Sequence, residues 1–514
     1  MVAEPKGLMS KFRGYLLPII SGILLSVSFP LADIQVAAWF ALVPLLLSLK
    51  DGSAGSFYKG FITGLVFYIS SIYWIVNAMF YYGGLNIAVS IILMAALSAY
   101  LAVYIGLFAA LSAYIRKKSP TVFILAAPAI WVSLELVRNY FISGFPWDQL
   151  GYSQHASLHI IQMADITGVY GVSALIVLVN AALAEYIADT GARSFGRALK
   201  PVAAFAAVAL IFGYGQYRLS HPPHENGRLK VALIQGNIEQ FHKWDAQYQK
   251  DIFETYTKMT FEAAKTKPDI VVWPETATPF YFQDKYYHYR LLDVAKASGT
   301  FLLTGSPSVE ELGNNNYLEH NSAYLISPDG EVAGRYDKMH LVPFGEYIPL
   351  KKLLPFVSKM VSGIGDFGAG TSYTLLDAKK ASIGTAICFE AIFPELVRQF
   401  ALGGADCLAT VTNDAWYGKT AAPYQHFNMA IFRAVENRRS MLRVANTGIT
   451  GIILPSGEVV SRTGLFTRET LSGEVPLVSE LTFYTRYGDI FAYACILISA
   501  LTLISAVLKK RSNV

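Results

Sequence analysis

The sequence predicts a membrane α-helical bundle of about eight spans joined to an α/β domain. Three observations predict it. Apolar stretches fill most of the chain up to residue 217 and recur once after residue 488. The Lys and Arg residues between those stretches fall on alternate loops. From Leu229 onward, short β-rich runs alternate with helical patterns. Hydrophobic residues make up 53% of the 514 and charged residues only 15%, with a mean hydropathy of +0.38. A water-soluble protein of this length needs no such balance.

The apolar stretches lie near 15–31, 36–49, 60–80, 85–114, 122–137, 158–187, 202–217 and 489–508. Most approach the roughly 20 residues that span a bilayer, and the second is short. The first reads as a membrane helix rather than a cleaved leader, because six more follow and no small-x-small site is clear. One set of ends carries Lys6, Lys11, Arg13, Lys50, Lys59, Arg116, Lys117, Lys118, Arg193, Arg197, Lys200 and Lys509 to Arg511. The opposite short loops, 32–35 and 81–84, carry none, and 138–157 carries only Arg138. Both termini are therefore expected in the cytoplasm. The expected domains are a membrane part at 1–217, an extramembrane part at 218–488 on the far side, and a final span with its tail at 489–514. Glu135 is costly within a span and is expected to find a polar contact, with Arg138 three residues on as the candidate.

In the second half, strands are expected at 229–235, 269–273, 301–305, 321–326, 381–387, 406–412 and 440–454, and helices near 246–266, 284–298, 390–402 and 423–438. Ser327 to Gly330 and Pro455 to Gly457 read as hairpin turns. Gly363 to Gly368 matches G-x-G-x-x-G, but no strand precedes it, so a loop is the better reading.

The chemistry centres on Ala381–Glu390, an apolar run that stops at Cys388 and leads into a helix-like segment. A thiol at a strand-to-helix turn sits where helix N–H groups favour an anion, which suits a nucleophile. The other reading is a small buried apolar residue, the usual fate of a free Cys. Cys407, in an apolar strand, and Cys495, in the last apolar stretch, read as packing residues, and three scattered cysteines make no disulfide framework. The nine His form no metal-binding pattern, so neither metal nor cofactor is expected. A net charge of +5 spread over span ends suggests no nucleic-acid partner. Upstream, a strand ends in Trp273-Pro274-Glu275, where desolvation would tune a carboxylate toward general-base work. Between the two lies Gly334–Pro349, which places Lys338 ahead of an apolar loop with Pro343 and Glu346.

Glu, then Lys, then Cys in these settings resembles the nitrilase superfamily. The Lys338–Pro349 string together with the membrane segments resembles its apolipoprotein N-acyltransferase branch, over nearly the whole chain. The resemblance implies an α-β-β-α sandwich for 218–488, with Cys388 as nucleophile, Glu275 as base and Lys338 as oxyanion donor, helped by the Phe389 N–H. Glu346 and Glu390 would be supporting carboxylates. The family commonly has Tyr where this chain has Phe389, which removes any role for that hydroxyl here. Trp244 would line the way in for substrate, and Trp416, Tyr417 and His426 would belong to a loop closing the pocket. Gly144–Trp147 either shapes the site or, as its aromatic composition alone allows, anchors the chain at the membrane interface. The implied reaction moves an acyl chain from the sn-1 position of a phospholipid, phosphatidylethanolamine foremost, to the amine of a diacylglyceryl-cysteine apolipoprotein. The implied location is the bacterial inner membrane with the catalytic domain in the periplasm. A soluble amidase would have no use for the spans, and a transporter would carry more ionisable residues within them.

Residues 350–361 carry Leu353, Leu354, Val357, Met360 and Val361 at helical spacing, with Lys351, Lys352 and Lys359 between. That pattern fits either a packed amphipathic helix or an arm dipping into the outer leaflet. The charge asymmetry gives a direct test. An impermeant amine reagent added to spheroplasts should label lysines within 218–488 and leave Lys509 and Lys510 unlabelled; labelling of that tail from outside reverses the orientation.

Overall fold

The computed structural model describes residues 8–49, 53–189, 195–313, 316–347 and 367–511. The expected arm at 350–361 and most of the Gly363–Gly368 loop lie outside the described residues. The chain divides into two compact units. One comprises Met1–Val76, Ile87–Arg218 and Asp489–Val514, and the other Asn77–Asn86 with Leu219–Gly488.

The first unit is helical. Ile87–Lys118, Val169–Ala188, Ala198–Ser220 and Ile490–Leu508 are long and apolar enough to cross a membrane. Ser53–Ser71 and Trp74–Tyr82, bent by 47° at their junction, make a fifth if the pair counts as one span. Among the described residues, length and composition therefore support four or five spans rather than eight. The reasons are local. The 36–49 stretch is three short helical pieces, Gln35–Ala37, Ala38–Ala41 and Val43–Ser48. Asn180 satisfies the backbone there, accepting from the Leu42 N–H at 2.8 Å and donating to the Ala38 carbonyl at 2.9 Å. The 158–187 stretch breaks at Gly168, whose φ of 63° ends one helix and starts the next. Phe123–Tyr140 carries Glu135, Arg138 and Asn139 near its end.

Close packing in this unit uses small residues. A Cβ on Gly64 would lie 2.7 Å from the Ala102 Cα, so Ser53–Ser71 meets Ile87–Lys118 almost backbone to backbone. Glu135 does find polar contacts, but not with Arg138. Its Oε1 accepts from the Trp131 indole at 2.9 Å and from the Leu150 N–H at 2.8 Å. Arg138 donates instead to the Tyr68 hydroxyl.

The second unit holds two six-stranded sheets. The strands are β1 Gly227–Gln235, β2 Ile270–Val272, β3 Phe301–Gly313, β4 Asn316–Ile326, β5 Val332–Asp337, β6 Leu375–Asp377, β7 Ser382–Ile387, β8 Cys407–Thr412, β9 Ser440–Ala445, β10 Gly451–Ile453, β11 Val459–Arg462 and β12 Glu469–Leu477. The sheet orders are β12-β1-β2-β3-β4-β5 and β11-β10-β9-β8-β7-β6. Each has a parallel trio at its centre, β1-β2-β3 or β7-β8-β9, and antiparallel strands outside. Parallel neighbours need crossovers, which are the helices Gln249–Ala264 and Lys285–Ser298 in one sheet and Pro394–Leu402 and Ala422–Asn437 in the other. Ile252, Phe253, Tyr256, Leu291 and Val294 from the first pair pack on Val271, Trp273 and Leu302. The sheets pack on each other through β1 against β9 and β4 against β7, completing the α-β-β-α order.

Two boundaries differ from expectation in ways that matter for chemistry. The 440–454 run is two strands separated at 446–450, where Gly448 packs directly on the Asp414 carboxylate. The segment after β7 is a 3-10 turn, Cys388–Ile392, and the α-helix begins only at Pro394. Cys388 therefore does not sit at an α-helix N-terminus.

The parallel edge also aims Glu275. Beyond β2 the chain crosses over Gly305 of β3, where a Cβ would lie 2.6 Å from the Thr276 nitrogen and 2.7 Å from the Glu275 Cα. Gly305→Ala should cost roughly 1–3 kcal/mol of stability by overpacking and push Glu275 out of place. A thermal melt together with the Cys388 alkylation rate checks this, and wild-type values for both refute the aiming role.

Candidate functional site

Cys388, the residue after β7, takes a left-handed φ of 53°. A side chain there is strained, by about 1–3 kcal/mol, unless its neighbours hold it. They do so on both sides. The Glu390 Oε2 accepts from the Ile387 N–H at 2.7 Å, and the Cys388 carbonyl accepts from the His426 Nε2–H at 3.2 Å.

Glu275 is buried and its carboxylate is spanned by two donors, Asn321 Nδ2 from β4 at 2.8 Å and the Asn413 N–H after β8 at 2.8 Å. Lys338 follows β5 and is only 1% exposed. Its Nζ lies 2.8 Å from Glu346 Oε1 and 3.7 Å from Glu275 Oε1. Burial works against its charge, yet Glu346 and Glu275 hold the ammonium well above an ordinary lysine. Asn321 Nδ2 also reaches Glu346 at 3.0 Å, and the Val342 N–H closes the other Glu346 oxygen at 2.8 Å. The structure thus brings together Glu275, Lys338 and Glu346, with Cys388 inside the electrostatic reach of Glu275 and Lys338.

Glu390 is fully buried and faces donors alone. Tyr336 Oη at 2.9 Å and the N–H groups of Met339 and His340 at 2.7 and 3.0 Å share Oε1, opposite the Ile387 N–H on Oε2. Burial pushes its carboxyl up to about 7, and the backbone donors pull it down. Apart from the Tyr336 hydroxyl, which can donate or accept, its partners among the described residues are backbone N–H donors, which suit a carboxylate. Its place is structural: it ties the Cys388 turn to the Lys338 loop. The Cys388 thiol is pushed well above its usual range by burial and by Glu275, with Lys338 pulling the other way. The resting residue is therefore a thiol.

The remaining expected residues separate into groups. Phe389 packs edge-on against Phe393 at 5.3 Å and lies 6.0 Å from the His340 ring. Trp244 is 56% and Trp416 39% exposed, while Tyr417 is buried. Trp416 joins an aromatic group with Tyr82, at 5.2 Å, and Tyr82 stacks on Phe241 at 5.4 Å. The Asn77 amide donates to the Trp416 carbonyl at 3.1 Å. Asn77 precedes and Tyr82 ends the π-helical turn Ala78–Tyr82; both belong to the second unit, although Asn77 falls in the apolar stretch 60–80. Gly144 and Trp147 belong to the helical unit; Gly144 takes a φ of 75°, and Trp147 is fully buried against Trp74 at 4.7 Å. Trp147 is a packed core residue there rather than an exposed interfacial anchor. Cys407 and Cys495 are buried, as packing residues should be.

His426 departs from its expected role. It is completely buried, so it closes no open pocket. Its Nδ1 lies 3.1 Å from Asp414 Oδ1, and Arg443 Nη2 meets Asp414 Oδ2 at 2.7 Å. Burial alone would raise the Asp414 carboxyl, but Arg443 and His426 hold it below the usual carboxylate range. Asn321, Asn413, Asp414 and Arg443 do as much positioning as the expected residues. Of these, Asn413 and Asp414 adjoin a stretch that the sequence singles out, the loop of Trp416 and Tyr417. His426→Leu should lower the melting temperature and change Cys388 alkylation about tenfold, since it strands the buried carbonyl. His426→Gln, which keeps a donor, should recover most of both. Equal behaviour of the two variants excludes the hydrogen bond as the cause.

Residues 21–182 match the family described as apolipoprotein N-acyltransferase N-terminal domain, and residues 230–480 match carbon-nitrogen hydrolase. An apolipoprotein N-acyltransferase from Geobacter metallireducens is 45% identical over 94% of this chain and 93% of its own length. One from Chlorobaculum tepidum is 30% identical over 98% of this chain and 99% of its own. Among solved structures, a carbon-nitrogen hydrolase from Helicobacter pylori is 18% identical and covers 48% of this chain and 89% of that one, with a TM-score of 0.37. With that identity sustained over nearly its full length, the chain belongs to the apolipoprotein N-acyltransferase family.

Proposed function

We propose that the protein transfers the sn-1 acyl chain of a phospholipid, phosphatidylethanolamine foremost, to the N-terminal amine of a diacylglyceryl-cysteine apolipoprotein through a thioester on Cys388. The observation that carries this reading is the gathering of buried Glu275, Lys338 and Cys388 in a chain of this family. In the first half, Glu275 takes the thiol proton as Cys388 Sγ attacks the ester carbonyl. Lys338 and the Phe389 N–H receive the oxyanion. Collapse breaks the ester C–O bond, and Glu275 returns the proton to the departing lysophospholipid. In the second half, the acceptor amine attacks the thioester, Glu275 takes the amine proton, and the thiol is regenerated as the amide forms. Neither half calls for a cofactor or metal.

In this reading 1–217 and 489–514 anchor the protein in the inner membrane, with the helices Gly14–Val27 and Phe123–Tyr140 added to the long spans. Residues 218–488 work in the periplasm. Trp244 and Trp416 border the route for substrate.

Intact mass spectrometry of enzyme incubated with phosphatidylethanolamine vesicles should show one fatty-acyl adduct on Cys388, with lysophospholipid released. Cys388→Ala should abolish both. Glu275→Gln and Lys338→Ala should each slow adduct formation by at least about a hundredfold. Free fatty acid released at the same rate with and without acceptor peptide would make the protein a hydrolase instead.

A further inference from the structure

Lys243 is a buried ammonium that the mechanism above does not use. It is 2% exposed, one residue before the exposed Trp244. Among the described residues, its single acceptor within hydrogen-bond distance is the backbone carbonyl of Glu275, at 3.0 Å. A lysine carries three donors, and burying its charge with one weak partner is expensive unless charge nearby compensates. Its loop is tied to the site rather than to the surface. Asn413 Nδ2 donates to Gln240 at 2.7 Å, and Asn446 Nδ2 bridges Ile238 and Asn413. The same Asn413 holds the Glu275 carboxylate through its N–H.

The charges nearby explain why a cation belongs there. Glu275 and Glu346 share Lys338, so two carboxylates face one ammonium and leave an excess negative charge. Negative charge must then move onto Cys388 Sγ and onto an acyl oxygen beside that excess. Both Glu275 and Cys388 act electrostatically on Lys243, as they do on Lys338.

We propose that Lys243 is a second cation of the active centre, a positioning residue that fixes the Glu275 peptide and offsets the carboxylate charge while the thiolate and the oxyanion form. Burial pushes its ammonium down to about 8, against the pull of Glu275 and Cys388. The proposal rests on the acyl-transfer reading only for the oxyanion; its effect on the thiol is independent of any lipid.

The test separates the two. Full-length enzyme in detergent is alkylated at Cys388 with neutral iodoacetamide across a pH series, and acylation from phosphatidylethanolamine vesicles is followed in parallel. Lys243→Met, similar in length and uncharged, should be alkylated about tenfold more slowly at neutral pH, with its ionisation midpoint shifted upward, as expected for losing an opposite charge at close range. Lys243→Gln keeps a donor for the Glu275 carbonyl without the charge, and should show the same upward shift with an unchanged melting temperature. A wild-type alkylation profile in a folded Lys243→Gln overturns the proposal and leaves Lys243 as a prop for one peptide. A shifted profile in an enzyme that never forms an acyl adduct from lipid would refute the proposed donor and keep the cation.

Discussion

The two sheets meet chemically at the carboxylate of Glu275. One oxygen is held by Asn321 of the first sheet, the other by the Asn413 N–H at the end of the second. No rotation of one sheet against the other leaves both bonds intact. The packing of the sandwich and the aim of the proposed base are thus one constraint. Gly305 serves it from below by letting the 274–276 segment pass over β3 without a Cβ in the way. Asn413 serves it from above, and its own neighbours, Gln240 and Asn446, are polar groups drawn from other loops.

Such a site is assembled from groups that are costly to bury, which explains how many of them come in pairs. Lys338 is matched by Glu346, Asp414 by Arg443, and Arg433 by Glu436 at 2.8 Å, all but the partly buried Glu346 almost wholly out of water. A buried pair adds little net stability over an apolar pair of the same shape, but losing one partner typically costs about 3–5 kcal/mol. The networks therefore specify geometry more than they add stability. Apolar residues of similar volume could fill the Asp414–His426–Arg443 position, but they would leave the Cys388 carbonyl without its donor.

Much of this was legible in the sequence because the signals were local. The crossover helices, the central strands and the two hairpin turns follow from periodicity and from Pro and Gly placement. The three residues Glu275, Lys338 and Cys388 each end or follow a strand, where a side chain escapes the sheet. The missed strands are β5, β6, β11 and β12. The edge strand β12 shows why, alternating half-exposed and exposed residues over its first half and carrying Pro476. Length and composition support fewer than eight spans for a related reason. Apolarity marks a stretch as buried in something, and Asn180 and Gly168 turn two such stretches into short, broken helices inside the bundle. Asn321, Arg443 and Lys243 were illegible for another reason. Their meaning lies in partners 46, 29 and 32 residues away.

The strained backbone at Cys388 and its raised thiol belong to the same design. A left-handed residue persists only where its surroundings over-determine it, and here Glu390 grips the peptide before it and His426 the carbonyl after it. Neither grip uses the side chain, whose thiol is met instead by Thr412. Burial then keeps that thiol protonated at rest, against the pull of Lys338. An isolated thiolate would be open to oxidation and to any passing electrophile. In the proposed cycle the thiol loses its proton only as a carbonyl arrives to take up the charge. Reactivity is thereby tied to occupancy, and the fold supplies the direction of attack in advance.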